Sequence, residues 1–193
     1  MQTVFSRKFA IGAGFEFKRL VADTETISSE LFGQTSANKN GKFYFDKSSY
    51  LNFLGYIKFD TYDKSYFPKE GIFLDAGMLY YTTSTDYNKN FSPFSQLKAD
   101  FGIAFTFFEK LTFHFISQAG FTLGKNENRA LDYNVGGYGE NFINNFIPFY
   151  GYDFSELNED AFLRSGLTAR CEFVPKNYIS LAANYARVEN DLF

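Results

Sequence analysis

Residues 59–81, FDTYDKSYFPKEGIFLDAGMLYY, predict a strand, a tight turn and a returning strand. Apolar and polar residues alternate on both sides of the turn, and a period of two is typical of strands with one apolar and one polar face. Pro68 cannot donate to a strand ladder and Gly71 can adopt positive φ, so the chain is expected to reverse direction between them. The class of protein then depends on whether the apolar face contacts lipid or the interior of a soluble domain.

The same alternation predicts seven strands along the chain. In the clearest of them, Leu97 and Phe101 alternate with Lys98 and Asp100. No stretch has a helical period, so the fold class is all-β. The seven strands are expected at about 7–21, 48–63, 71–84, 95–108, 110–124, 161–174 and 178–188.

The composition restricts the partners. The 193 residues include 27 Phe and 14 Tyr but no Trp, and this many aromatic rings are hard to bury within one soluble domain. The formal net charge is -3 and no basic run is present, so nucleic acid is not an expected partner. Cys171 is the single cysteine, which excludes an internal disulfide and a cysteine-based metal site.

Strand and connection lengths favour a membrane barrel. Several predicted strands are longer than the strands of globular sheets, which usually have about five or six residues. Their length suits the roughly 9–11 residues of a tilted strand that crosses a bilayer. Short and long connections alternate strictly, as in outer-membrane barrels with short periplasmic turns and long external loops. We therefore predict an antiparallel transmembrane β-barrel segment, with phenylalanine toward lipid and charge toward the lumen. A soluble lipid-binding β-barrel, with the faces reversed, is the alternative. The connections are 25–47, 64–70, 85–94, 109, 125–160 and 175–177.

The turn residues carry a family resemblance. Asp60, Asp63, Pro68 and Gly71 form a D-x-x-D-x4-P-x-x-G pattern, which resembles that of the bacterial surface antigen family of outer-membrane assembly and two-partner secretion barrels. The resemblance covers nearly the whole chain. It implies that residues 1–193 are a single partial barrel domain of a bacterial outer membrane, taken from a sixteen-stranded barrel whose first and closing strands are absent.

Two further observations fit a fragment. Seven strands is an odd number, whereas bacterial single-chain barrels have an even number, and an open sheet in lipid leaves unpaired edges. The first residues, MQTVFSRKFAIGAGFEFKRL, are not interpreted as a signal peptide because Glu16 interrupts a short apolar patch. An export signal is therefore expected outside this chain.

A second similarity lies in the long loop before residue 161. In the family, the longest external loop folds into the lumen, and its aromatic–Arg–Gly–aromatic tip precedes a strand with an inward Glu. Phe149, Tyr150, Gly151 and Tyr152 are similar to that tip, and Glu172 to the strand residue. Tyr150 stands where arginine is expected, so the similarity does not extend to an ion pair between the tip and the barrel wall.

Charged residues on strand 161–174 are predicted to form part of the lumen wall. Arg164, Arg170 and Glu172 share one face of that strand because even spacings place side chains on the same side. They are expected either to line a conductance path or to hold the long loop. Solvated lumen charges that pair with neighbouring strands are the alternative.

The segment GGYGENFINNFIPFYGYDF and the terminal LAANYARVENDLF are similar to the barrels that follow patatin-like phospholipase domains in Bacteroidetes-type proteins. This similarity implies a hydrolase domain that precedes the barrel and lies outside this chain. The expected function is to anchor an attached domain, with translocation or display as further roles. Expected partners are outer-membrane lipid, the missing strands of the same barrel and the N-terminal passenger domain.

No catalytic residue, metal or cofactor is predicted within the chain. The serine-hydrolase pattern G-x-S-x-G is absent. His114, the single histidine, is expected to face the lumen with Ser117 and Gln118 nearby, and a small outer-membrane lipid-modifying enzyme that uses His114 is the alternative function. Asp60 and Asp63 could hold a cation, but we interpret them as acceptors for backbone amides of the turn.

Overall fold

The computed structural model describes residues 2–6, 8–21, 47–85, 91–125, 131–138, 145–153 and 156–189. Strands dominate these ranges, and no helix within them is long and apolar enough to span a membrane. The strands are β1 (Gln2–Ser6), β2 (Phe9–Val21), β3 (Lys47–Asp60), β4 (Gly71–Ser84), β5 (Phe94–Phe107), β6 (Leu111–Leu123), β7 (Tyr133–Val135), β8 (Phe146–Ile147), β9 (Leu157–Glu159), β10 (Ala161–Val174) and β11 (Asn177–Glu189).

Eight of the strands form one antiparallel sheet in the order β1-β2-β3-β4-β5-β6-β10-β11. Each strand pairs with the next along the chain, except that residues 124–160, here called the inserted loop, separate β6 from β10. Three short strands of the inserted loop form a second sheet in the order β8-β7-β9. The described part of the chain therefore follows a simple up-and-down meander.

The seven predicted strands are present as β2–β6, β10 and β11, each 13 or 14 residues long. Within the described residues this sheet has eight strands and not an odd number, because the short strand β1 pairs with β2 beside the seven long ones. With only five residues, β1 is too short to show a clear alternation. The same holds for β7–β9, which have two or three residues each.

Connections of different length lie at opposite ends of the strands. The short connections 61–70, 108–110 and 175–176 share one end, and the long connections 85–93 and 124–160 share the other. Phe108 and Glu109 have φ of 51° and 61°, the positive values that a tight type I′ hairpin turn requires. The alternation predicted from the sequence is confirmed for these connections, and residues 22–46 lie outside the described ranges.

The apolar rows lie on the outer face of the sheet. Phe15 is 77% exposed, and Phe53 and Leu181 are also exposed. The opposite face, here called the inner face, carries the alternate, largely polar residues and is covered by residues 61–70 and by the inserted loop. The phenylalanine rows therefore do not pack together in a closed core. This agrees with the membrane-barrel prediction, which places these rows toward lipid.

Small residues shape the middle of the outer face. Ala76, Ala99 and Ala119 are cross-strand partners on β4, β5 and β6. They help to line a groove of about 740 Å³, which larger residues such as Met78 and Phe121 border. The groove is lined mainly by apolar side chains, so the apolar surface continues through it, as contact with hydrocarbon requires.

Candidate functional site

The inner face is the candidate functional site, and the connection between β3 and β4 covers one end of it. Residues 61–70 of this connection are called the inner turn. The Asp63 carboxylate accepts hydrogen bonds from the backbone amides of Lys69 (2.8 Å) and Glu70 (3.2 Å). The Asp60 carboxylate accepts one from the amide of Tyr62 at 3.0 Å. Both carboxylates thus shape the turn, because they satisfy backbone donors that the reversal leaves unpaired.

Gly71, the first residue of β4, follows the inner turn and permits a close approach of the β4 backbone to that of Thr61. Its φ is +117°, a value that L side chains rarely adopt. A Cβ at this position would lie 2.5 Å from the carbonyl oxygen of Thr61. Thr61 also exchanges hydrogen bonds with Ile72, through its amide to the Ile72 carbonyl at 2.9 Å and from the Ile72 amide to its hydroxyl at 2.8 Å.

The inner turn is bound by residues of β10 that lie far away in the sequence. Arg170 is buried, and its Nη2 donates to the carbonyl of Pro68 at 2.6 Å. The Nζ of Lys69 lies 2.6 Å from Oε2 of Glu172, as both a hydrogen bond and an ion pair. Arg170 and Glu172 therefore hold the inner turn, whereas the sequence analysis left open whether they hold the long loop.

Aromatic contacts extend this binding to β11. The Phe67 ring stacks on Tyr178 with centroids 5.7 Å apart. The Arg170 guanidinium lies 5.1 Å from the Phe67 ring and 5.6 Å from the Tyr178 ring, within the range of cation–π attraction. On β5, the hydroxyl of Thr106 donates to the carbonyl of Lys69 at 2.6 Å. The inner turn thus contacts β5, β10 and β11.

Tyr62 connects the inner turn to β6. Its hydroxyl lies 2.9 Å from Nε2 of His114, and the ring passes over Gly102, where an added Cβ would overlap that hydroxyl. Burial, with a smaller contribution from the charge of Asp60, raises the pKa of Tyr62 to about 12. Tyr62 is therefore protonated at neutral pH, so the hydrogen bond joins two neutral groups when His114 is neutral.

His114 faces inward as predicted, but its expected neighbour Ser117 does not. Ser117 is three residues away on a regular strand and hydrogen-bonds Ser165 across the sheet at 3.3 Å, on the outer face. Gln118 shares the inner face with His114. Within the described ranges, no group of three or more His, Cys, Asp or Glu side chains lies close enough together to hold a metal ion.

The inserted loop covers the other end of the inner face through two apolar clusters. The first contains Tyr133, Val135, Ile147, Phe149 and Phe162, and the second contains Tyr50, Tyr81, Phe94 and Leu131. Hydrogen bonds fix the loop to β5, because Gln96 donates to the carbonyl of Leu131 at 2.6 Å and Tyr133 donates to the carbonyl of Leu97 at 2.7 Å. Residues 131–136 are all buried, so they form the most enclosed part of the described loop.

The predicted loop tip lies close to β11. Phe149 is buried in the first cluster, whereas Tyr150, Gly151 and Tyr152 are exposed. The side-chain amide of Asn184 donates to the carbonyl of Tyr150 at 3.1 Å. The role of these four residues as a lumen-inserted tip stays a prediction.

A row of charged and polar residues crosses the inner face between the inner turn and the inserted loop. The row joins five neighbouring strands through direct cross-strand partners. Lys58 and Asp75 form an ion pair at 3.5 Å, and Nη1 of Arg164 donates to Gln118 at 2.6 Å. Charged side chains at this depth are typical of the water-facing interior of a membrane barrel. The row consists of Lys58, Asp75, Asp100, Gln118 and Arg164.

The charges of the inner turn predict its pH range. For Asp63, burial raises the pKa. The hydrogen bonds from the amides of Lys69 and Glu70 and the charge of Lys64 lower it by more than that, so the pKa lies below the usual 3.8. For Lys69, the hydrogen bond that its ammonium donates to the Glu172 carboxylate raises the pKa above the usual 10.5, and the charges of Glu172, Tyr178 and Asp63 act in the same direction. Stabilisation by Asp63 is therefore lost as the pH falls through its lowered pKa, and stabilisation by Lys69 is lost as the pH rises through its raised pKa.

We therefore expect the inner turn to stay bound from about pH 4 to about pH 10 and to loosen outside this range. The chain contains no Trp, so Phe67→Trp places a single fluorescent reporter against Tyr178. Its emission is expected to stay constant within the range and to shift to longer wavelength outside it. A transition centred near neutral pH would contradict this assignment. The same titration of a Trp at exposed Phe108, at the neighbouring turn, controls for general unfolding.

The family model described as the OMP85 superfamily matches residues 1–193. Among solved structures, the chain is similar to the crystal structure of BamA from Haemophilus ducreyi lacking POTRA domains 1–3, with a TM-score of 0.65 and 13% sequence identity. The match covers 94% of this chain but 38% of that chain, so this chain spans well under half the length of that relative. No curated protein matches. At this identity the likeness shows the fold alone, which is that of an antiparallel β-barrel segment.

Proposed function

The chain belongs to the OMP85 superfamily, and from this premise we propose that residues 1–193 form one partial barrel domain that anchors an attached domain in the bacterial outer membrane. Translocation or display of the attached domain across the barrel is part of the proposal. The observation that carries it is the division of the sheet into two faces. Exposed phenylalanine and leucine side chains occupy the outer face, and the inner face holds ion pairs such as Lys58–Asp75.

The partners in this proposal are lipid, further strands and a passenger domain. β1 and β11 are the edge strands of the sheet, and further strands of a sixteen-stranded barrel would pair with them. The similarity of the glycine-rich segment and of the last residues to barrels that follow patatin-like phospholipases supports a hydrolase as the passenger.

We propose that this chain is not itself the enzyme. His114 is hydrogen-bonded to Tyr62 beneath the inner turn, and the nearby serine, Ser117, points to the outer face. A lipid hydrolase would need both groups to converge on one substrate carbonyl. We expect His114→Ala to leave any lipid hydrolysis by the full-length protein unchanged, and loss of hydrolysis in a folded variant would contradict this.

A charge placed on each face tests the membrane assignment. We expect Phe101→Lys, at the middle of β5 on the outer face, to destabilise the folded barrel by about 2–4 kcal/mol, the cost of a lysine at the bilayer midplane. Ala182→Lys introduces the same charge on the inner face of β11, opposite Thr168, and is the matched control with little expected effect. Unfolding of the full-length protein in lipid vesicles by urea measures both. Equal effects of the two variants would contradict the membrane assignment.

A further inference from the structure

We propose that the inner turn is a releasable strap that closes the lumen at the short-connection end of the barrel, with Lys69–Glu172 and the Arg170 contacts as its latch. The proposal rests on the proposed function, because a lumen exists only if the segment is part of a barrel. It assigns a gating role to residues 61–70, which lie at the opposite end of the inner face from the inserted loop.

The reach of the inner turn is the first argument. It connects β3 to β4, yet Phe67 stacks on Tyr178 of β11, and three strands lie between β4 and β11 in the sheet. With neighbouring strands about 4.8 Å apart, this separation is roughly 19 Å along the sheet. The inner turn therefore crosses in front of β5, β6 and β10 instead of lying over its own strands.

The length of the connection is the second argument. The connections 108–110 and 175–176 at the same end are tight turns, and Phe108 in the first of them is 92% exposed. Residues 61–70 are longer than a hairpin needs, and the additional residues fold over the inner face. Beneath them lie Ala104 and Thr112, which are 3% exposed and thus shielded from the lumen.

The nature of the contacts is the third argument. The far side of the inner turn is held by few groups, the Pro68 carbonyl, the Lys69 ammonium and the Phe67 ring, and not by a continuous apolar core. Residues 63–67 are exposed. Phe67 has φ of 54°, a strained conformation for a bulky residue that persists only where its surroundings enforce it. Loss of a few contacts would therefore release the inner turn and relieve this strain.

Thiol labelling beneath the inner turn tests the proposal in the full-length protein in lipid vesicles. Ala104→Cys, in a background where the exposed Cys171 is changed to Ala, places the only thiol of this chain under the turn. A small membrane-impermeant methanethiosulfonate reagent measures its accessibility. Lys69→Glu breaks the latch, and Lys69→Glu with Glu172→Lys restores it in reverse. Lys58→Glu is the matched control, because it reverses a charge of the wall pair Lys58–Asp75 outside the inner turn.

We expect Lys69→Glu to accelerate labelling by about tenfold or more. This factor corresponds to the loss of one hydrogen bond between charged groups. The reversed pair is expected to return most of the way to the starting rate, and Lys58→Glu to leave the rate unchanged. Equal rates in all variants, or a reversed pair as fast as Lys69→Glu alone, would overturn the proposal. If Ala104→Cys does not fold, Thr112→Cys replaces it. The barrel assignment is tested separately, because equal effects of Phe101→Lys and Ala182→Lys on unfolding would contradict it.

Discussion

Replacing Gly120 by alanine is expected to expel the inserted loop from the inner face. An added Cβ would overlap the Phe162 ring and come within 2.8 Å of the Tyr133 ring, closer than Cβ atoms pack. Because Gly120 is fixed in β6 between two partner strands, the rings must move. Their movement would also break the hydrogen bond from Tyr133 to the Leu97 carbonyl. Overpacking of this kind costs about 1–3 kcal/mol, and with the lost hydrogen bond we expect a change of about 3 kcal/mol.

Limited proteolysis of the inserted loop measures this effect. Since about 1.4 kcal/mol corresponds to a factor of ten, we expect cleavage of the variant to be about a hundredfold faster. Gly166→Ala is the matched control. It lies on the inner face of β10, and an added Cβ there would meet only the Ala183 carbonyl oxygen at 3.8 Å. Combining Gly120→Ala with Phe162→Leu removes part of the overlapping ring and is expected to restore some protection. Equal cleavage of the two alanine variants would show that the loop does not need the space at Gly120.

Replacing Arg170 by alanine is expected to release the inner turn while the sheet stays folded. The substitution removes the charged donor to the Pro68 carbonyl and the cation that lies against Phe67 and Tyr178. A hydrogen bond to a charged group contributes about 1.5–3 kcal/mol, and a desolvated cation–π contact about 2 kcal/mol. Since such terms are not additive, we expect the inner turn to lose about 2–4 kcal/mol of binding free energy.

Trypsin cleaves after lysine, so cleavage at Lys69 reports this release, because the Lys69 ammonium is bound to Glu172 and its carbonyl to Thr106 while the inner turn lies on the inner face. Arg187→Ala is the matched control, since Arg187 is exposed, lies away from the inner turn and pairs with Glu189 at 2.6 Å and 2.9 Å. Exposed ion pairs contribute little to stability, so cleavage at Lys69 should not change in that variant. Cleavage that is equally slow in both variants would show that Arg170 is not needed to hold the turn.

The sequence was sufficient to predict the long strands but not what covers their inner face. Alternation of apolar and polar residues is a local signal, and it placed β2–β6, β10 and β11 and put His114 on the inner face. The contacts of the inner turn are not local, since Lys69 and Glu172 are 103 positions apart and meet only because the sheet brings β10 across from β4. No pattern within either segment encodes that meeting.

Two glycines carried a signal that the sequence analysis did not use. A glycine inside a strand often marks a site where another part of the chain approaches closely. Gly102 and Gly120 are such sites, because the Tyr62 ring passes over the first and the rings of Tyr133 and Phe162 pack over the second. The strands β7–β9 were missed for another reason, since segments of two or three residues cannot display a period.

The strictly sequential pairing of the long strands also implies an order of assembly. Each hairpin from β2 to β6 can join the growing ladder as soon as its own two strands exist, because its partners are neighbours in the chain. The contacts of Pro68 and Lys69 must wait for a strand that is synthesised about a hundred residues later. Binding of residues 61–70 is therefore a late step, because it needs β10 and β11 in the ladder after β5 and β6 have already joined.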